Sequence, residues 1–70
     1  MPVEDLLRNY RARTRISQSL MAEQLGVSQS TYHKWESGKA PVPLELFPAI
    51  ATLCQVSLRE LLPDEFLKQL

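Results

Sequence analysis

The side chains in this sequence that are able to do covalent or metal chemistry occur singly. His33 is the sole histidine and Cys54 the sole cysteine. A metal site needs several ligands, and a general base needs a nucleophile or an orienting carboxylate; no such constellation accompanies His33. Cys54 has no partner for a disulfide, which makes it a candidate for a small buried apolar residue. We therefore expect no enzyme, no metal and no cofactor.

Three serines that resemble candidate nucleophiles have a simpler explanation. Ser17, Ser28 and Ser57 each precede a segment with helical spacing, where a serine oxygen accepts hydrogen bonds from free amide groups. Glu60 follows Ser57 at the spacing of a capping box. These serines therefore mark the starts of the second, third and fifth predicted helices.

Apolar residues recur at helical spacing along the chain, and no segment alternates long enough to indicate a strand. The pattern predicts an all-α fold of five helices in a single domain over residues 1–70. The helices are expected at about 3–13, 17–26, 28–36, 46–54 and shortly after Ser57. Gly26 ends the second helix because glycine tolerates the left-handed conformation. The predicted core residues are Leu6, Leu7, Tyr10, Met21, Ala22, Leu25, Tyr32, Trp35, Ile50 and Ala51.

Charge is distributed unevenly although the 70-residue chain carries eight basic and eight acidic residues. Residues 1–40 carry six bases and four acids, a net of +2, whereas residues 41–70 carry two bases and four acids, a net of −2. A basic end can dock on nucleic acid, with fewer phosphate contacts than a strongly basic domain makes. No apolar run approaches the roughly 18 residues of a membrane span, and no secretory signal begins the chain, so we expect a cytoplasmic protein.

The segment 17–38, SQSLMAEQLGVSQSTYHKWESG, resembles the helix-turn-helix of Cro proteins and phage repressors, the XRE-type family. Ala22 is small enough for a steep crossing of the second and third helices, and Gly26 makes the turn. Three apolar residues anchor the third helix from behind: Val27, Tyr32 and Trp35. The resemblance implies a compact, five-helix, lambda-repressor-like domain, with the helix-turn-helix at about 17–37. Such a protein, bacterial or phage-encoded, binds double-stranded DNA and regulates transcription; the resemblance favours a repressor and leaves an activator open.

The same resemblance implies a set of DNA contacts, because in this family the third helix enters the major groove. Gln29, Ser30 and Lys34 are the implied base-contacting residues; glutamine can bind adenine, lysine can donate to guanine, and serine discriminates less. The residues implied at the DNA backbone or at the flanks of the helix are Gln18, Thr31, His33, Ser37, Lys39 and Arg15. Arg11 and Glu36 are implied to form a structural ion pair, expected to be exposed and to orient the elements rather than stabilise them.

The end of the chain carries more apolar surface than a small domain buries internally, which predicts dimerisation through residues 56–70. The predicted dimer-interface residues are Leu58, Leu61, Leu62, Phe66, Leu67 and Leu70. A homodimer would bind a palindromic operator with half-sites about one helical turn apart. The alternative is an antitoxin-like or modulator protein that uses the fold mainly for protein–protein interaction, which the neutral net charge favours. No small-molecule ligand and no membrane partner is indicated.

Three positions depart from the family pattern. Gln55 stands where relatives usually have a left-handed glycine, a conformation that costs a residue with a side chain roughly 1 kcal/mol. Leu20 occupies an often polar site, and it is either an extra core residue or an exposed patch. The loop 40–43 is apolar where relatives often carry bases, which predicts modest DNA affinity at physiological salt.

Overall fold

The computed structural model describes residues 2–62 and 65, which contain four α-helices and no strand. The helices are α1 (Val3–Thr14), α2 (Gln18–Leu25), α3 (Gln29–Glu36) and α4 (Phe47–Cys54). Two single 3₁₀ turns, Leu44–Leu46 and Leu58–Glu60, lie before and after α4. The predicted all-α class is confirmed, with one difference: the short fifth helix expected after Ser57 is a 3₁₀ turn, so the described residues form four α-helices rather than five.

The capping chemistry at Ser57 was predicted correctly even though the helix behind it is short. The Ser57 side chain accepts from the amide of Arg59, and the Glu60 carboxylate accepts from the Ser57 amide at 3.2 Å. Pro63 follows in the sequence, and a proline disfavours the helical conformation of the residue before it. The segment therefore starts with the hydrogen bonds of a helix N-terminus, but the following proline disfavours a longer helix.

The helix-turn-helix begins and ends at the predicted residues. The Ser17 hydroxyl accepts from the amide of Leu20, and the Ser28 hydroxyl accepts from the amide of Thr31, each at 3.1 Å. Gly26 closes α2 at φ 73°, and the amide of Val27 donates to the Ala22 carbonyl at 2.9 Å. This left-handed closure turns the chain sharply, so α3 packs against α2 directly.

One apolar core lies beneath all four helices, and it confirms most of the predicted core. Tyr32 and Trp35 are 0% and 3% exposed and meet edge to face, with ring centroids 6.2 Å apart. Cys54 is buried as predicted, and burial raises the pKa of its thiol. The buried apolar residues are Leu6, Leu7, Met21, Ala22, Leu25, Tyr32, Trp35, Phe47, Ile50, Ala51, Cys54 and Leu61.

Leu61 offers little surface to the predicted dimer contact. Its side chain is 7% exposed within the chain's own core, so it has little surface left for a second copy. Leu58 is 37% exposed and Leu62 is half-buried against the core. The remaining predicted contacts, Phe66, Leu67 and Leu70, lie outside the described residues.

Among the residues that the structure describes, two with side chains adopt the left-handed backbone conformation. Gln55 ends α4 at φ 59°, as the family pattern predicts. Arg15 ends α1 at φ 60°, and its amide donates to the Arg11 carbonyl at 2.7 Å. No glycine in the sequence marks this second position, so the sharp passage from α1 to α2 was not predicted.

The sequence left open whether Leu20 is an extra core residue or an exposed patch. Leu20 is 41% exposed, so it is an exposed patch. Among residues 2–62 and 65, no helix has the length and apolar composition that a bilayer crossing requires.

Candidate nucleic-acid interface

Helix α3 has two chemically different faces. Tyr32, Trp35 and Glu36 point into the protein and are at most 6% exposed. The opposite face is polar and exposed, and it carries Gln29, Ser30, His33 and Lys34. Because residues three and four apart lie on the same side of a helix, His33 continues the row that Gln29 and Ser30 begin. The three predicted base-contacting residues therefore share one exposed surface, and His33 is exposed beside them.

The predicted pair of Arg11 and Glu36 is present, but it is partly buried rather than exposed. Arg11 Nε donates to Glu36 Oε2 at 2.5 Å, and Arg11 Nη2 donates to Glu36 Oε1 at 3.0 Å. The Glu36 side chain is only 7% exposed and that of Arg11 is 25% exposed. The two-pronged contact joins α1 to the end of α3. Removing one partner would leave the other charge in a poorly solvated place, which makes this pair costly to break.

The electrostatics of this cluster favour an ionised Glu36. Burial by itself raises the pKa of the Glu36 carboxyl, but the hydrogen bonds from Arg11 and Gln18 and the nearby Tyr32 hydroxyl lower it by more, so that the pKa lies at about 2. The same contact raises the pKa of Arg11. Burial is also the main reason why the pKa of Tyr32 is raised, and its hydroxyl is buried without a hydrogen bond of normal geometry. Glu36 therefore carries its charge at every physiological pH.

Gln18, the first residue of α2, bridges the buried pair to the exposed face of α3. Its Nε2 donates to Glu36 Oε1 at 3.1 Å and lies 3.4 Å from His33 Nδ1. The sequence resemblance implied that Gln18 binds a DNA phosphate. It did not indicate the contact between Gln18 and His33, which are 15 residues apart in the chain. The start of α2 is thereby fixed relative to the outward face of α3.

The arginines of α1 divide into structural and exposed ones. Arg8 Nη1 donates to the backbone carbonyl of Glu36 and Nη2 to Asp5, so it caps the C-terminus of α3. Arg13 lies over the ring of Tyr10, 5.7 Å from its centroid. Arg15 is exposed and lines an open cleft with Arg8, Arg11 and Ser17 beside the start of α2. The contact of Arg15 to the DNA backbone that the resemblance implies remains a prediction.

The other predicted flanking residues surround the two ends of α3. Thr31 is half-buried, and its hydroxyl accepts from Ser28 at 3.0 Å. Ser37 and Lys39 are both exposed after the end of the helix, where the Ser37 hydroxyl and the Lys39 amide donate to the carbonyl of Lys34. Their proposed contacts to phosphate remain predictions.

The chain belongs to the helix-turn-helix domain family, whose model matches residues 5–63. This membership confirms the resemblance to XRE-type DNA-binding proteins that the segment 17–38 indicated.

Two relatives are transcriptional regulators. The HTH-type transcriptional activator BcrR of Enterococcus faecalis is 36% identical over 65 residues, which cover 93% of this chain and 32% of the activator. The transcriptional repressor RstR of the cryptic phage CTXphi, from Vibrio cholerae serotype O1, is 33% identical over 61 residues, which cover 87% of this chain and 54% of the repressor. The chain thus spans about a third and about half of their lengths. No solved structure gives a significant match. Helix-turn-helix regulators are a non-enzymatic family, in agreement with the expectation of no enzyme.

Proposed function

We propose that this chain is a transcriptional repressor that binds a palindromic DNA operator as a homodimer, in the cytoplasm of a bacterial cell. Repression requires only that the protein occupy its operator, and the described residues supply the surface for this. The proposal assigns base contacts to Gln29, Ser30 and Lys34. It assigns contacts to the DNA backbone to Thr31, Ser37, Lys39 and Arg15, and to Gln18 through its main-chain amide at the start of α2.

The observation that carries the proposal is the division of α3 into a buried and an exposed face. A helix that reads the major groove needs one side anchored to the protein and hydrogen-bonding side chains on the other. Tyr32 and Trp35 provide the anchor, and the pair of Arg11 and Glu36 fixes the end of the helix. The exposed side offers amide, hydroxyl, imidazole and ammonium groups, which match the donors and acceptors of base edges.

The proposed contacts to the backbone are supported by two exposed basic residues. Arg15 lies just before α2 in the chain, and Lys39 lies just after α3. Phosphate contacts of this kind set the orientation of a protein on DNA without reading its sequence. Arg8 and Arg11 serve the fold instead, and we assign them no phosphate.

The experiment that tests the function is selection of bound sequences from random duplex DNA, followed by affinity measurements on the selected site. We expect a symmetric motif, because two copies of α3 would read two half-sites. Replacing Gln29 with alanine should weaken binding by about 1 to 3 kcal/mol, since one side chain can make two hydrogen bonds to a base. The matched control is Gln24→Ala, which removes an exposed glutamine from α2. Recovery of no motif at low salt would contradict the proposal.

One observation favours a second function. The chain is neutral overall, whereas DNA-binding domains commonly carry excess positive charge. An antitoxin-like or modulator protein with this fold would bind a partner polypeptide instead. The salt dependence of binding distinguishes the two functions, because affinity for DNA falls steeply as counterions compete for phosphates. A stable stoichiometric complex with a protein, together with no affinity for DNA, would establish the second.

A further inference from the structure

The orientation of the Gln18 amide is determined by what it faces. Its terminal nitrogen is 3.1 Å from Glu36 Oε1, and an ionised carboxylate can only accept hydrogen bonds. The group turned toward Glu36 must therefore be the NH₂ rather than the carbonyl oxygen. Glu36 is itself held in place by Arg11, so the amide rests on a rigid support.

The same NH₂ group faces the imidazole of His33. It has two hydrogens, and one is used by Glu36, which leaves the second for His33 Nδ1 at 3.4 Å. A nitrogen that receives a hydrogen bond carries no hydrogen of its own. In a neutral imidazole the hydrogen is then on Nε2, the other ring nitrogen.

We propose that His33 is a specificity-determining residue which presents its Nε2 hydrogen to a base in the major groove, with Gln18 as the positioning residue that selects this tautomer. This inference rests on the proposed DNA-binding function. His33 is exposed and lies one turn after Gln29 and Ser30, so it reaches the same groove. A fixed donor requires an acceptor on the base edge, and guanine offers two, O6 and N7. We therefore assign guanine to His33.

The first test needs no DNA. Nitrogen NMR of the free protein labelled in histidine, at about pH 8 where a free imidazole is neutral, distinguishes the protonated ring nitrogen from the unprotonated one. We expect the hydrogen on Nε2 in the wild-type chain and in Gln24→Ala, and a mixture of tautomers in Gln18→Ala. A hydrogen found on Nδ1 in the wild-type chain, or a Gln18→Ala spectrum identical to the wild-type spectrum, would overturn the proposal.

The second test uses the DNA site selected by the wild-type chain. Replacing the guanine opposite His33 by 7-deazaguanine removes the N7 acceptor, and we expect wild-type affinity to fall roughly 5- to 150-fold. His33→Ala should bind the two DNAs equally, and Gln18→Ala should show a reduced difference. If His33→Ala keeps both the affinity and the guanine preference of the wild-type chain, the inference is wrong although the proposed function stands. If the wild-type chain selects no site, the proposed function itself fails.

Discussion

The Glu36 carboxylate is a charged group at the point where α3 ends and the core begins. Sequence reasoning placed it in an exposed ion pair, because charged residues are rarely buried. The structure buries it against Arg11 and Gln18, which donate to its oxygens, while Arg8 donates to the backbone carbonyl of the same residue. Its contribution is therefore to stability as well as to orientation, since its pKa differs from that of an unfolded chain.

The free energy of unfolding should depend on pH through Glu36. In the folded chain the pKa of Glu36 is about 2, below the ordinary value of 4.5. Between these two values the carboxylate binds a proton in the unfolded chain but stays ionised in the folded chain. The stabilisation is complete above about pH 4.5 and is lost as the pH falls toward 2, a total of about 3 kcal/mol. Urea unfolding followed by the fluorescence of the buried Trp35 measures this profile.

The Glu36→Gln variant should have a flatter acid profile than the wild-type chain, whatever its stability at neutral pH. The exposed Glu23→Gln on α2 serves as the control and should keep the steep loss. A Glu36→Gln profile parallel to that of the wild-type chain would show that other carboxylates cause the acid sensitivity.

At the scale of elements, the left-handed end of α4 carries a residue with a side chain. Gln55 at φ 59° bears a steric cost that glycine does not. We expect Gln55→Gly to raise the free energy of unfolding by about 1 kcal/mol, which corresponds to roughly 4 to 8 °C in Tm for a domain of this size. Calorimetry or thermal circular dichroism measures the shift.

The same substitution inside a helix should have the opposite sign. Gln24 lies within α2, where glycine has no advantage and costs roughly 0.5 to 1 kcal/mol. If Gln55→Gly and Gln24→Gly both destabilise the chain, the backbone at Gln55 is not the source of strain.

Local chemistry explains why the elements were largely predictable. Ser17, Ser28 and Gly26 act through neighbours within a few residues, and the structure confirms all three. The 3₁₀ turn Leu44–Leu46 and the left-handed Arg15 depend on how the chain must be routed between packed helices. No residue type at these positions indicates the path of the chain, so the sequence did not predict the 3₁₀ turn or the left-handed residue.

The candidate site was predictable to a similar degree. The exposed row on α3 follows from helical spacing and from the resemblance of the segment 17–38. The contact between Gln18 and His33 joins two polar side chains 15 residues apart, and it exists only because the turn at Gly26 sets α2 against α3. Polar contacts across a turn leave no periodic pattern in a sequence.

At the scale of the whole molecule, the proposed homodimer depends on apolar surface that one copy leaves exposed. Leu58 is 37% exposed near the end of the described chain, within the predicted dimerisation region. An aspartate placed in an apolar interface must lose its hydration, so Leu58→Asp should shift the chain from dimer to monomer. Sedimentation equilibrium measures the mass, and a tenfold dilution series gives the dissociation constant.

Leu44→Asp is the matched control for this prediction. Leu44 is 46% exposed, lies in the turn before α4 and stands outside the predicted dimerisation region. It should leave the dimer intact. A wild-type chain that stays monomeric at the concentrations at which it binds its operator would contradict the dimer altogether, and an unaffected Leu58→Asp dimer would move the interface elsewhere.

The two faces of α3 have a consequence for how such a protein changes over generations. Gln29, Ser30, His33 and Lys34 lie outside the core, and substitutions at exposed positions usually alter stability by no more than about 0.5 kcal/mol. Single substitutions at these positions can therefore change which DNA sequence is bound while each variant still folds. A lineage with this scaffold can acquire new operators at little structural risk, and the limit on its divergence is set by the DNA rather than by the protein.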